Sequence, residues 1–349
     1  MISGYRIKTG TPFSGKELEE LKNFLQHNGL EYDENIAFSI MLVVDEKVVA
    51  TGSLDRNVMK CISVRPENRG DGLLAIVISE LYQECIRRGN AHIFCYTKPD
   101  NVEVFKSMGM HSVIETKDIL LMENKQGGFK KYLQELKSNT NDFVLNRGIR
   151  WNVQADNDTV GAIVANCNPF TKGHRYLIET AANQCSLLHV FVLSTEQGWL
   201  TAKERYEMVQ IGTEDISNVI LHTTSGYLVS PAVFPSYFLK KGTNVSRIQC
   251  ELDVRIFVKY IAKELSITKR FVGTEPYDKI TLGYNEMLKR ILPSAGIEVI
   301  EVERNKWQEE YISASVVRKG ILQNECEYLS MLPDTTIRYL RERGKIPEE

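Results

Sequence analysis

The stretch Val160-Gly161-Ala162-Ile163-Val164-Ala165 constrains the fold of this chain more than any other. It is short and continuously apolar, as a strand buried on both faces of a parallel sheet must be. A loop with Pro169 and Gly173 follows, then a helical run over 174–183. Downstream the alternation continues: 189–194, 219–222, 269–273 and 297–302 read as strands, and 201–214 as a helix with a Thr at its start. Strands alternating with helices predict a doubly wound parallel sheet, whose ligands sit at the carboxyl ends of its strands.

The first 125 residues read differently. Strand-like runs at 38–44, 47–54, 59–64 and 91–96 surround an apolar-periodic helix, 73–88, with Leu73, Leu74, Val77, Ile78, Leu81 and Ile86 on its inner face. A further helix is expected near Asn101. Residues 123–128 are polar and end in a Gly pair; a short amphipathic helix, 129–136, follows, and 138–142 and 154–158 are turn-rich. The expected division is an α/β domain over 1–125, a linker with a short helix over 126–158, and a second α/β domain over 159–349.

Composition narrows the function classes. Lys and Arg number 43 against 45 Asp and Glu, so nothing suggests a nucleic-acid partner. No apolar run reaches the roughly 18 residues of a membrane helix, and the N-terminal stretch lacks the pattern of a secretory signal. Seven cysteines with no Cys-x-x-Cys pair fit reduced thiols in a cytoplasmic protein better than a disulfide frame or a cysteine metal site. No metal-ligand set is expected.

The loop after the first strand of the second half reads Asn166-Cys167-Asn168-Pro169-Phe170-Thr171-Lys172-Gly173-His174. A helix N-terminus there offers unpaired N–H groups to an anion, Gly173 allows close backbone approach, and Thr171 and His174 carry hydrogen-bonding groups. Far downstream, Ile312-Ser313-Ala314-Ser315-Val316-Val317-Arg318 places a Ser cap before a helix, with Ser315 and Arg318 on one face. The first stretch resembles the (H/T)xGH motif of the nucleotidyltransferase superfamily, with Asn166 where that superfamily carries Ser or Thr. The second resembles its ISxTxxR motif, with Ser315 for Thr. The resemblance implies that Thr171 and His174 stabilise charge on the α-phosphate of ATP. It implies that Ser313, Ser315 and Arg318 hold the departing pyrophosphate, with Asn166, Asn168, Phe170 and Gly173 completing the nucleotide site. Mg²⁺ is expected with ATP.

Together with the blocks at 230–240 (SPAVFPSYFLK), 251–257 (ELDVRIF) and 271–285 (FVGTEPYDKITLGYN), these motifs resemble the citrate lyase ligase family. That resemblance implies an acid–thiol ligase. It would activate acetate as acetyl-adenylate and acetylate the thiol of a CoA-like arm on the acyl carrier subunit of citrate lyase. Gly273, Thr274, Glu275 and Asp278 then follow a strand end, where they could meet ribose or adenine or simply start a helix. Lys203, Arg205 and Arg247 read best as solvated charges, Tyr237 and Phe238 as core, and Asp253 as either cap or ligand. An alternative reading is a bifunctional mononucleotide adenylyltransferase with an acetyltransferase domain.

In the first half, Arg69-Gly70-Asp71-Gly72-Leu73-Leu74 follows a strand and opens a long helix. It resembles motif A of the GNAT acetyltransferases, with Leu74 replacing the last small residue. The implied role of Arg69, Gly70 and Gly72 is to clasp the pyrophosphate of a CoA-like group with backbone N–H donors.

Overall fold

The computed structural model describes residues 4–33, 35–149, 159–194, 198–228, 234, 237–239, 244–275, 278–307, 310–323, 325 and 327–347. The turn-rich stretch 154–158 lies outside them, as do parts of 229–243 and Cys326. The chain forms two compact units. The first comprises Met1–Phe129 and Val233–Leu252; the second comprises Lys130–Ala232 and Asp253–Glu349. The expected division gave everything after 159 to one domain, whereas 233–252 groups with the first unit.

In the first unit the order is β1 (Arg6–Gly10), α1 (Gly15–His27), β2 (Phe38–Val44), β3 (Lys47–Asp55), β4 (Val58–Val64), α2 (Leu73–Arg87), β5 (Phe94–Thr97), α3 (Val102–Ser107), β6 (His111–Glu115) and β7 (Leu120–Glu123). The strands form one sheet in the order β1-β2-β3-β4-β5-β7-β6, in which only β4 and β5 run parallel. Helix α2 lies on β3, and Gly52 permits this: a Cβ there would stand 2.5 Å from Val77 Cγ1 and 2.9 Å from Leu81 Cδ1. Leu73, Val77, Ile78 and Leu81 are buried as the periodicity predicts. Ile86 is instead 63% exposed, and Cys85 takes the inner position beside it.

The connecting helix α4 (Gly128–Arg147) is far longer than the expected 129–136. It runs straight through 138–142, where turn-forming residues lie along a continuous helix. Then come β8 (Val160–Ala165), α5 (Lys172–Ala182), β9 (Leu187–Val192), α6 (Ala202–Gly212), β10 (Val219–Thr223) and α7 (Val245–Ile256). They are followed by β11 (Lys269–Gly273), α8 (Lys279–Ile291), β12 (Glu298–Val302), the short pair β13 (Lys306–Trp307) and β14 (Glu310–Tyr311), α9 (Ala314–Gln323) and α10 (Asp334–Glu342).

The sheet of the second unit has the order β10-β9-β8-β11-β12, and every neighbouring pair is parallel. Both units are thus α/β, and the second carries the doubly wound sheet. The strand order reverses at β8. Right-handed crossovers therefore put helices on both faces, and a crevice opens at the carboxyl ends of β8 and β11. Small residues allow this density: a Cβ at Gly161 on β8 would lie 2.5 Å from Cys185 Sγ and 2.9 Å from the Phe271 ring. No helix among the described residues is long and apolar enough to cross a membrane. The described cysteines, Cys61, Cys85, Cys95, Cys167, Cys185 and Cys250, are all free thiols.

Candidate active site

At the carboxyl end of β8 the chain turns into α5 through a reciprocal cap. The Thr171 hydroxyl accepts the His174 backbone N–H at 3.3 Å, and His174 Nδ1 accepts the Thr171 N–H at 3.1 Å. The cap leaves a proton position on the imidazole. Nδ1 is an acceptor, so the neutral ring carries its hydrogen on Nε2 and presents it as a donor. Burial, then Arg304 and Arg318, lower the His174 pKa to about 4, so the ring stays neutral in ordinary buffers. Thr171 is 1% exposed and its hydroxyl lies 2.9 Å from His174 Nδ1, so its side chain faces the imidazole and not the crevice.

Phe170 is fully buried and stacks against His174, with ring centroids 6.1 Å apart. It backs the imidazole instead of facing a ligand. Its own support is Gly212 at the end of α6, where a Cβ would meet the Phe170 ring at 2.4 Å. Cys167 sits in the left-handed region at φ 50°, fully buried, and burial pushes its thiol up to about 12. It is inert packing, as expected of a thiol that burial keeps protonated.

The second motif meets the first directly. Arg318 on α9 donates to the Asn168 carbonyl at 2.5 Å. Ile312 packs on Gly173, where a Cβ would stand 3.4 Å from both Ile312 Cγ2 and the Ile312 carbonyl oxygen. Ser313 receives the Ser315 N–H at 3.3 Å, and the two hydroxyls are 2.7 Å apart. Hydroxyls, N–H groups of a helix start and a guanidinium therefore stand together, which is a donor set for phosphate oxygens.

Two cations that the sequence motifs do not reveal complete the site. Arg205 reads as a surface charge, yet its side chain is completely buried beneath the loop and donates to the Asn166 carbonyl at 2.8 Å and to the Asn166 side-chain oxygen. Asn166 thus braces the loop through Arg205. Arg304, just beyond β12, belongs to no motif. Its guanidinium pairs with Glu275, its N–H donates to Thr274 Oγ1 at 3.0 Å, and its side chain crosses the end of β11 at Gly273. The one available signal is position: a cation immediately after the last parallel strand faces the crevice.

The acidic residues after β11 have local tasks. Asp278 caps α8 through the Ile280 N–H at 2.9 Å. Glu275 accepts the Asp278 N–H at 3.1 Å besides holding Arg304. Asp253 is neither cap nor exposed ligand: it is 5% exposed within α7 and acts electrostatically on the buried Arg270. Lys203 and Arg247 are exposed charges paired loosely with Glu207 and Asp118. Arg69, Gly70 and Gly72 belong to the first unit and line a separate cavity there. Gly70 and Gly72 take φ of 93° and 83°, values that require glycine in this turn.

Residues 160–340 match the family model of the citrate lyase ligase C-terminal domain. A citrate pro-3S-lyase ligase of Escherichia coli is 34% identical over 333 residues, 93% of this chain and 91% of that protein. The chain belongs to the citrate lyase ligase family. The Haemophilus influenzae citrate pro-3S-lyase ligase is 35% identical, with 95% of this chain and 97% of that protein covered. Among solved structures, an acyl-CoA N-acyltransferase from Pseudomonas aeruginosa covers 35% of this chain and 99% of that one, at 14% identity and a TM-score of 0.30. The citrate lyase ligase match spans all the second-unit elements that converge here, from β8 through α9. In this member of the citrate lyase ligase family, Arg304 and Arg318 act electrostatically on His174, and the Ser313 and Ser315 hydroxyls stand together at the start of α9. Among the described residues no group of three or more His, Cys, Asp or Glu side chains is placed to hold a metal ion.

Proposed function

We propose that this chain activates acetate with ATP and transfers the acetyl group to the thiol of a CoA-like arm on the acyl carrier subunit of citrate lyase, in the cytoplasm. The observation that carries the reading is the Arg318–Asn168 bond, which brings the pyrophosphate-binding helix start against the loop that holds His174. In the first step a carboxylate oxygen of acetate bonds to the α-phosphorus, and the bond from phosphorus to the bridging oxygen breaks. Pyrophosphate leaves with the electron pair. In the second, the arm's sulfur bonds to the acetyl carbon and AMP leaves with its oxygen, while the thiol proton passes to solvent.

The chain's own groups supply charge stabilisation and alignment, which carry most of the catalysis in phosphoryl and nucleotidyl transfer. His174 Nε2–H donates to the α-phosphate as negative charge builds. One such donor is worth roughly 3–4 kcal/mol. Thr171 is a positioning residue that fixes the imidazole tautomer; Asn166, Phe170 and Arg205 hold the loop. Ser313, Ser315 and Arg318 receive pyrophosphate. Arg304, poised on Glu275, faces the remaining anionic oxygens, so Glu275 serves the nucleotide site through Arg304. The cationic and hydroxyl donors fit phosphate; Mg²⁺ bound to ATP would neutralise part of the phosphate charge.

In the first unit, the turn with Arg69, Gly70 and Gly72 takes the phosphate end of the CoA-like arm. ATP–pyrophosphate exchange tests the reading. Acetate-dependent exchange is expected. Exchange that ignores acetate and responds to a mononucleotide would overturn it in favour of a mononucleotide adenylyltransferase.

A further inference from the structure

Strands β4 and β5 pair at Val58 with Phe94 and at Met59 with Cys95, and their ladder stops there. Two residues on, Cys61 adopts φ 52°, and the β3–β4 register shifts so that Cys61 and Ile62 together oppose Gly52. Such a bulge bends its strand. Here it turns the end of β4 away from β5 and leaves a gap.

A cavity of about 690 Å³ occupies this region, within the range of small-molecule sites. Its mouth is polar, with Arg69, Gly70, Gly72, Lys98 and Asn101 all exposed. Its body is apolar, with Ile62, Val64, Leu74 and Phe105 on the walls. Charge and polarity thus match a ligand that is anionic at one end and has a slender arm at the other.

The inner end is built by an unexpected part of the chain. After Ala232 the chain leaves the second unit, and Val233–Leu252 joins the first. From this segment Phe234 packs edge-on against Tyr96 of β5, with centroids 5.5 Å apart. Tyr237 and Phe238 are 4% and 5% exposed and line the cavity. The Tyr237 carbonyl accepts the Glu31 N–H at 2.9 Å, which anchors Tyr237. Cys61 and Cys95, on the two parted strands, both act electrostatically on the buried Tyr237 phenol. Tyr237 therefore lines the cavity where β4 and β5 part.

We propose that Tyr237 sets the depth of this cavity and makes it selective for the free-thiol form of the arm over the acetylated form. The inference rests on the arm-docking reading given above. A thiol ends in one sulfur atom and asks for little. An acetyl thioester adds three non-hydrogen atoms and a carbonyl that needs a donor. At the inner end the buried Tyr237 ring occupies the space that these added atoms would need. The site then holds substrate and rejects product, so a carrier that has been acetylated is released.

Calorimetric titration of the full chain with dephospho-CoA and with acetyl-dephospho-CoA tests this, with thermal melts checking that each variant folds. The wild type should bind the thiol form at least ten-fold more tightly. Tyr237→Ala should bring the ratio near one, mainly by improving the acetyl form. Tyr237→Leu replaces the ring with a shorter side chain and should lower the ratio part-way; this milder change carries the test if the alanine variant does not fold. Equal binding of both forms by the wild type, or an unchanged ratio in both variants, overturns the proposal while leaving arm docking intact. No binding of dephospho-CoA at all overturns the docking reading, and this inference with it.

Discussion

Arg318 donates to the backbone carbonyl of Asn168, 150 residues earlier in the chain, at 2.5 Å. That contact makes one site of two motifs that are far apart in sequence. A guanidinium held by a carbonyl is oriented before any phosphate arrives, so less ordering cost falls on binding. Arg318→Ala should reduce ATP–pyrophosphate exchange by about 10²-fold or more, the usual loss for one charge-stabilising donor. Arg318→Lys keeps the charge but loses the planar fork, and should recover only part of the rate. Steady-state exchange assays with both variants decide; a rate in Arg318→Ala within about two-fold of wild type would remove this role.

His174 should act as a neutral donor. Its pKa is lowered to about 4 by burial and then by Arg304 and Arg318. The exchange rate should therefore show no break near the ordinary imidazole value of about 6.5. His174→Ala should lose roughly 10²–10³ in rate with its melting curve preserved. Arg304→Ala removes one of the cations that oppose protonation, so any acid limb of the pH–rate profile should move to higher pH. A profile that stays in place would show that Arg304 does not act on His174.

Stability should fall in acid through buried imidazoles. His189 and His222 face each other across β9 and β10 at 2.9 Å, both buried. Burial lowers the His222 pKa to about 3 and puts that of His189 well below its ordinary value. The unfolded chain takes these protons near pH 6.5 and the folded chain does not, so the unfolded state binds more protons below that pH. Stability is therefore complete above about pH 6.5 and declines as pH falls toward 3, by about 1 kcal/mol for each imidazole at pH 5.5. Melting temperatures from pH 7.5 to 5 should fall steeply in the wild type and less so in a His189→Leu/His222→Phe variant. Parallel curves would refute the assignment.

Arg205→Ala should be costly although it touches no ligand. It removes a fully buried side chain and the donor to Asn166 beneath the phosphate loop. Combined loss of packing and of a buried hydrogen bond points to about 3 kcal/mol. Urea unfolding measures this directly. A change below about 0.5 kcal/mol is what a solvated surface charge would give.

Gly212→Ala tests the support of Phe170. The added methyl would stand 2.4 Å from the Phe170 ring, which itself stacks on His174. Overpacking of this kind costs about 1–3 kcal/mol. The displaced ring should also disturb His174, so exchange should fall more than stability alone accounts for. Normal turnover by the folded variant would show that Phe170 does not position the imidazole.

The central strand, the Thr201 cap and the parallel sheet are legible in the sequence because each is written in neighbouring residues, and the structure adds the same cap at Thr171. An apolar run of Val160–Ala165 admits one environment, and a Thr three residues before His174 or Glu204 forms a reciprocal cap in both places. Helix α4 is longer than its sequence suggests. Ser, Asn and Asp at 138–142 favour turns locally, while helical periodicity and packing such as buried Leu136 and Thr140 override that preference. Glu275 and Asp278 resemble nucleotide ligands because a strand end is where ligands bind; the structure gives the first to Arg304 and the second to a helix cap.

The sequence by itself determined the α/β class, the strand that centres the second sheet and the two phosphate-directed motifs, since periodicity and capping depend on residues only a few positions apart. The tertiary structure alone decided which distant groups meet. It put Arg205 under Asn166, Arg304 on Glu275, Arg318 on Asn168, and Tyr237 in the wall of the first unit's cavity. Such pairings join residues tens to hundreds of positions apart, and no local preference encodes them. They follow from how packed helices and strands bring side chains together, and burial then sets what those side chains can do.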